Sequence, residues 1–139
     1  MFKCIVCATD GSVHALKALA YTRDLVKLHK ADLFVVHAYP KVSDLLGYKE
    51  YDTILEHRIA AGKEIIERAE KELELSEVHF HTELLEGPMA EAILNVAESR
   101  GADLIIIGAR GLSKIEGILL GSVSQKVIHH AACPVLVVR

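Results

Sequence analysis

The amino-acid sequence predicts an α/β fold, a single doubly wound parallel sheet with helices on both faces, and three observations predict it. Five short runs of strand type, at positions 3–8, 32–38, 78–84, 103–108 and 134–138, alternate with segments of helical periodicity. These read as buried-type strands, and right-handed crossovers between parallel strands lay the helices on either side of the sheet. The chain has 139 residues, 51% of them hydrophobic, with no repeat, low-complexity tract or Pro/Gly/Ser-rich linker. One domain over residues 1–139 is therefore expected, with enough apolar surface to offset the entropy of ordering it.

Each element has its own signal. The first run, around Cys4-Ile5-Val6-Cys7, ends at Thr9-Asp10-Gly11. Ser12 then suits the cap of a helix carrying Ala15, Leu16, Leu19 and Val26 on one face. After the second strand, the clearest helix covers residues 49–75, with Leu55, Ile59, Gly62, Ile66, Ala69 and Leu73 at offsets of three and four. The third strand leads to Gly87-Pro88, with proline suited to a first helical turn; Met89, Ile93, Val96 and Ala97 share a face until Gly101 stops the helix. The fourth strand ends at Gly108, Ser122 suits the cap of a helix holding Val123, Val127 and Ala131, and Pro134 opens the last strand.

Charge and composition exclude several functions. Lys plus Arg number 16 against 19 Asp plus Glu, net −3, and the signs are interleaved. A surface for nucleic acid needs a basic stripe, so no nucleic-acid partner is expected. No apolar run approaches the ~20 residues of a membrane span and no signal-peptide pattern opens the chain, so no membrane partner and a cytoplasmic location are expected. The odd count of three cysteines, Cys4, Cys7 and Cys133, in apolar runs reads as reduced packing residues. Of the eight histidines, His79 and His81 share a strand face without a partner pair, and His129 and His130 diverge on a helix. His37 reads as a packed, hydrogen-bonded imidazole, and no protein metal site is assigned.

In a doubly wound sheet, ligands sit beyond the carboxyl ends of the strands where the strand order reverses. There the chain reads Gly108-Ala109-Arg110-Gly111, nine further residues, then Gly121-Ser122-Val123-Ser124 opening the last helix. Glycines let backbone amides approach an oxyanion, while the helix start and the Ser122 and Ser124 hydroxyls supply further donors. Taken singly, each glycine is a strand end or a turn; the spaced set reads as a phosphate cradle. The set lacks the Gly-Lys-Ser/Thr ending of a P-loop and follows the fourth strand rather than the first. Asp10 suits either an Asx-turn or a ligand contact. Arg110 and, more weakly, Lys114 are candidate phosphate partners.

These motifs, spread over essentially the whole chain, resemble the universal stress protein family in its nucleotide-binding branch. The resemblance rests on Ala8-Thr9-Asp10-Gly11-Ser12, His37-Ala38, Gly87-Pro88, Gly108-x2-Gly111-x9-Gly121-Ser122 and the ending Cys133-Pro134-Val135-Leu136-Val137-Val138. It implies a Rossmann-like fold of the adenine nucleotide alpha hydrolase type with strand order 3-2-1-4-5. It also implies that Asp10 contacts ribose hydroxyls and that the backbone around Ala8, Thr9 and Ala38 lines an adenine pocket. Gly108, Gly111, Gly121, Ser122, Val123 and Ser124 would hold ribose and phosphates. The implied ligand is ATP, ADP or AMP, with Mg²⁺ or Mn²⁺ carried through the phosphates.

Three functions follow from this reading. The first is an ATP-loaded stress-response or signalling module; the second is a slow ATPase or nucleotide-dependent phosphotransferase, for which no base or water-orienting group stands out. The third is an AMP- or cyclic-AMP-binding protein, or a nucleotide-free interaction protein. Leu112, Ile115, Ile118, Leu119 and Leu120 in the nine-residue insert read as packing or interface material, and Glu116 lies among them. The family order puts Val135–Val138 on a sheet edge, so a homodimer through that strand is expected. The loop of residues 39–48, with Tyr39, Leu45, Leu46 and Tyr48, reads equally as a pocket cover or a partner contact. A receiver fold fits less well, because Glu86-Gly87-Pro88 stands where its phospho-acceptor aspartate belongs.

Overall fold

Strands β1 (Cys4–Ala8), β2 (Asp32–Tyr39), β3 (Phe80–Glu86), β4 (Leu104–Gly108) and β5 (Val135–Val138) form one sheet in the order β3-β2-β1-β4-β5. Every neighbouring pair is parallel. Helices α1 (Val13–His29), α2 (Tyr48–Glu74), α3 (Met89–Arg100) and α4 (Ser122–His130) connect and cover the strands. The computed structural model describes residues 1–111 and 120–139, so the expectations for Leu112, Lys114, Ile115, Glu116, Ile118 and Leu119 lie outside the described residues.

Alternation of side chains along each strand builds two cores from one sheet. Ile5, Cys7, Leu33, Val35 and Ile106 face α1 and α2, meeting Ala18, Leu19, Ala69 and Leu73. Val6, Val36, Ile105 and Ile107 face α3 and α4, meeting Ile93, Val96 and Val127. The sequence expectation of five buried strands holds for β1, β2 and β4 but not for the edge strands, β5, where Val138 alone is buried, and β3, none of whose residues is fully buried. The reason is position: β3 pairs with β2 alone, so one edge faces solvent and polar residues such as His81 and Glu83 are tolerated.

Helix ends follow the capping chemistry with two corrections. The Ser12 hydroxyl accepts the Ala15 N–H at 3.2 Å, and Gly101, at φ +64°, closes α3 as expected. Pro88 is the N-cap of α3 rather than a residue of its first turn. Ser122 does not cap α4; Gly121 is the N-cap, Ser122 is the first helical residue, and no side chain caps this helix. Among the described residues, the first three amides of α4 thus have no helical or capping acceptor.

Candidate functional site

The chain reverses direction across the sheet between β1, which leads left to β2, and β4, which lies on its other side. At the carboxyl ends of these two strands is a cavity of about 410 Å³, within the range of small-molecule sites. Its wall comes from the β1 end (Ala8, Thr9, Asp10), the β4 end (Ile107, Gly108, Arg110, Gly111) and the amino end of α4 (Gly121, Ser122, Val123, Ser124). Ala15, Met89, Leu120 and Gln125 complete it.

Local hydrogen bonds hold this wall in shape. The Ala109 N–H donates to Val138 at 2.7 Å and the Ala109 carbonyl accepts the Gly121 N–H at 2.7 Å, so one residue fastens the β4 loop both to β5 and to the start of α4. Asp10 Oδ1 accepts the Ser12 N–H at 2.9 Å, an Asx-turn that fixes the carboxylate. Its Oδ2 lies against Gly111, where an added Cβ would stand only 2.5 Å away. The turn and the cavity contact are therefore compatible: one oxygen serves each. The uncapped amide groups of α4, the glycine loop and the Arg110 side chain make this end of the cavity a receptor for negative charge.

Most of the residues singled out in the sequence meet here, but three take other parts. Gly108 is buried, and a Cβ there would come within 2.8 Å of the His14 carbonyl carbon; its lack of a side chain serves the packing of α1 on β4. The Ser124 hydroxyl is turned away from donation to a ligand, because it donates to the Gly108 carbonyl at 2.7 Å, with Ala109 O at 3.3 Å. Only its backbone amide remains for an anion. Ala38 is not among the wall residues; its N–H is covered by the Met89 sulfur at 3.2 Å. Met89 itself is a wall residue that helical periodicity assigned to the core, although its place just beyond a strand's carboxyl end signalled the crevice. Leu45 and Tyr48 of the 39–48 loop are exposed, and none of Tyr39, Leu45, Leu46 and Tyr48 lines the cavity.

His37 supports the β1 loop from below. Its Nδ1 lies 2.7 Å from the Thr9 carbonyl, which can only accept, so Nδ1 carries the proton. Burial pushes the imidazole below its ordinary value, while the Thr9 hydrogen bond and the Asp10 charge pull the other way. A cation whose folded-state affinity for protons is reduced gives stability that is complete above the ordinary histidine value and is lost as pH falls through the lowered one. The melting temperature is expected to fall as the pH is taken below the ordinary histidine value of about 6.5. His37→Asn, which keeps a donor near Thr9, is expected to flatten that slope, and an unchanged slope would place the acid sensitivity elsewhere.

The comparisons with known proteins agree with this architecture. The model of the universal stress protein family matches residues 1–139. A universal stress protein of Thermus aquaticus is 43% identical over 139 residues, covering 100% of both chains. The chain belongs to the universal stress protein family. Among solved structures, the hypothetical protein MJ0577 of Methanocaldococcus jannaschii superposes with TM-score 0.86 at 31% identity, over 99% of this chain and 96% of that one. A universal stress protein in complex with cAMP superposes with TM-score 0.71 at 25% identity, over 99% and 97%. Among the described residues of this universal stress protein, no group of three or more His, Cys, Asp and Glu is placed to hold a metal ion. Cys4, Cys7 and Cys133 are free thiols, and burial pushes that of Cys7 up to about 11. None of its described helices is long and apolar enough to cross a membrane.

Proposed function

We propose that this universal stress protein binds an adenine nucleotide, foremost ATP, in the crevice between β1 and β4 and acts as a nucleotide-loaded stress-response or signalling module. The observation that carries this reading is the convergence of Asp10, the 108–111 loop and the uncapped amino end of α4 on one cavity of about 410 Å³. The carboxylate suits ribose hydroxyls and the amides suit phosphates. A fold relative in complex with cAMP supports the ligand class. Mg²⁺ or Mn²⁺ would enter with the phosphates rather than on a protein site of its own. Among the described wall residues Asp10 is the only carboxylate, and one of its oxygens is committed to Ser12, so the reading is binding rather than turnover.

The test is to release and identify nucleotide from the protein as purified, and to titrate ATP, AMP and cyclic AMP with Mg²⁺ present. Near-stoichiometric adenine nucleotide is expected; no bound nucleotide and no heat of binding would overturn the reading. Asp10→Asn retains an acceptor for the Ser12 N–H but loses the charge, which separates charged from neutral hydrogen bonds. Roughly tenfold weaker binding of AMP is expected, with 2′,3′-dideoxy-AMP unaffected. Equal losses for both ligands would remove Asp10 from the ribose.

The same reading includes a homodimer through β5. Among the described residues β5 pairs with β4 only. The bonds Ile105 N–H to Pro134 O and Ala109 N–H to Val138 O turn alternate residues toward β4, so Val135 and Val137 direct their N–H and C=O groups outward. Two such edges meeting across a two-fold satisfy each other. Val137→Pro deletes one outward donor without touching the β4 ladder. Sedimentation should show a dimer for the parent chain and a monomer for this variant; a monomeric parent would overturn the assembly.

A further inference from the structure

The end of β1 leaves one donor of β2 without a strand partner. Ala8 pairs with Val36, and the Thr9 N–H donates to Val36 O at 2.9 Å, so Val36 turns its polar backbone groups toward β1. Two residues on, the Ala38 N–H points the same way, and the next rung of the parallel ladder would join it to the Thr9 carbonyl. That carbonyl accepts His37 Nδ1 instead. The Ala38 N–H is thus a fixed donor at the carboxyl end of β2, the side of an open α/β sheet on which ligands are read, and it lies behind the cavity wall rather than in it. Its acceptor is the Met89 thioether, 3.2 Å away, on a side chain that also forms the cavity wall.

A thioether is a weak acceptor on a flexible three-rotor chain, and a ring nitrogen of a nucleobase is a stronger one. Resting on the nucleotide reading above, we propose that the Met89 sulfur is a built-in stand-in for the base: it covers the Ala38 N–H in the free protein and yields it to a nucleobase ring nitrogen. Met89 is then a specificity residue. A ligand that carries a base displaces the sulfur and recovers a hydrogen bond, whereas a sugar phosphate without a base fills the phosphate end and leaves the sulfur in place. Because the free protein already satisfies its donor in part, the stand-in lowers the affinity for every base-bearing ligand by the strength of one weak hydrogen bond.

Two measurements test this. Met89→Leu conserves volume and removes the acceptor. Calorimetric titration with AMP and with ribose 5-phosphate should show AMP binding roughly 3- to 10-fold tighter in the variant, with ribose 5-phosphate unchanged. The chain has two methionines, so methyl-¹³C-methionine labelling gives two methyl signals, of Met1 and Met89. The Met89 signal should shift with AMP and stay in place with ribose 5-phosphate. AMP bound by the parent chain but equally or less tightly by the variant, or a Met89 signal indifferent to AMP, would overturn the stand-in and leave the nucleotide site standing. Failure of both proteins to bind AMP, ATP or cyclic AMP would overturn the nucleotide reading, and the stand-in with it; where ATP binds and AMP does not, ATP takes the place of AMP in both measurements.

Discussion

Gly121→Val is expected to lower adenine nucleotide affinity on the order of 100-fold or more, about 2.7 kcal/mol, while leaving the melting temperature nearly unchanged. Gly121 has the ordinary angles φ −71° and ψ 163°, which any L-residue adopts. Among the described residues a Cβ there meets van der Waals neighbours, Ala109 O and Arg110 Cα at 3.5 Å and Gly111 N at 3.8 Å. Nothing among the described residues requires a glycine at this place. Those neighbours belong to the β4 loop, which is hydrogen-bonded to Gly121 and lines the cavity beside the amino end of α4, and a branched side chain there crowds the approach to the α4 amides. Calorimetry and a melting curve on the same preparation decide the matter. Unchanged affinity would show that the gap is not where the ligand's charge sits, and a large fall in melting temperature would show that the glycine is needed by the fold.

Gly108→Val is expected to do the reverse. Its Cβ would lie 2.8 Å from the His14 carbonyl carbon, 2.9 Å from His14 Cβ and 3.0 Å from Ala15 N, all at the start of α1 rather than on a flexible tip. Helix and strand must separate to admit it, and overpacking of this kind costs about 2–3 kcal/mol. The expected result is a fall of roughly 10 °C in melting temperature. An unaltered melting curve would mean that α1 rides easily on β4 and that the close approach is incidental. Together the two variants separate stability from binding within a single glycine motif.

The contrast also marks how far the sequence could be read. Gly108, Gly111 and Gly121 look alike as a spaced set, yet one makes room for a helix, one for the Asp10 carboxylate and one, among the described residues, for nothing closer than ordinary contact. The distinction depends on which backbone lies opposite each glycine, and that is not a local property. Ser124 is a second instance: two serines at the start of a helix suggest two hydroxyl donors, but one bonds a carbonyl 16 residues earlier in the chain. The Met89 sulfur reaches an amide 51 residues away, and His37 reaches a carbonyl 28 residues away. No periodicity or motif encodes these meetings.

By itself the sequence determined the elements, their class and the end of the sheet at which the cavity opens. Those features follow from short-range spacing, apolar residues every second or every third and fourth position, and glycine, proline and serine at the turns. The family motifs added the strand order that the structure shows. Tertiary structure alone decided that no residue of the edge strand β3 is fully buried, that α4 starts without a side-chain cap among the described residues, and that Asp10 divides its two oxygens between a turn and the glycine loop. The physical reason is common to all three: each depends on which groups from distant parts of the chain compete for the same space or the same hydrogen bond, and that competition exists only once the sheet has brought them together.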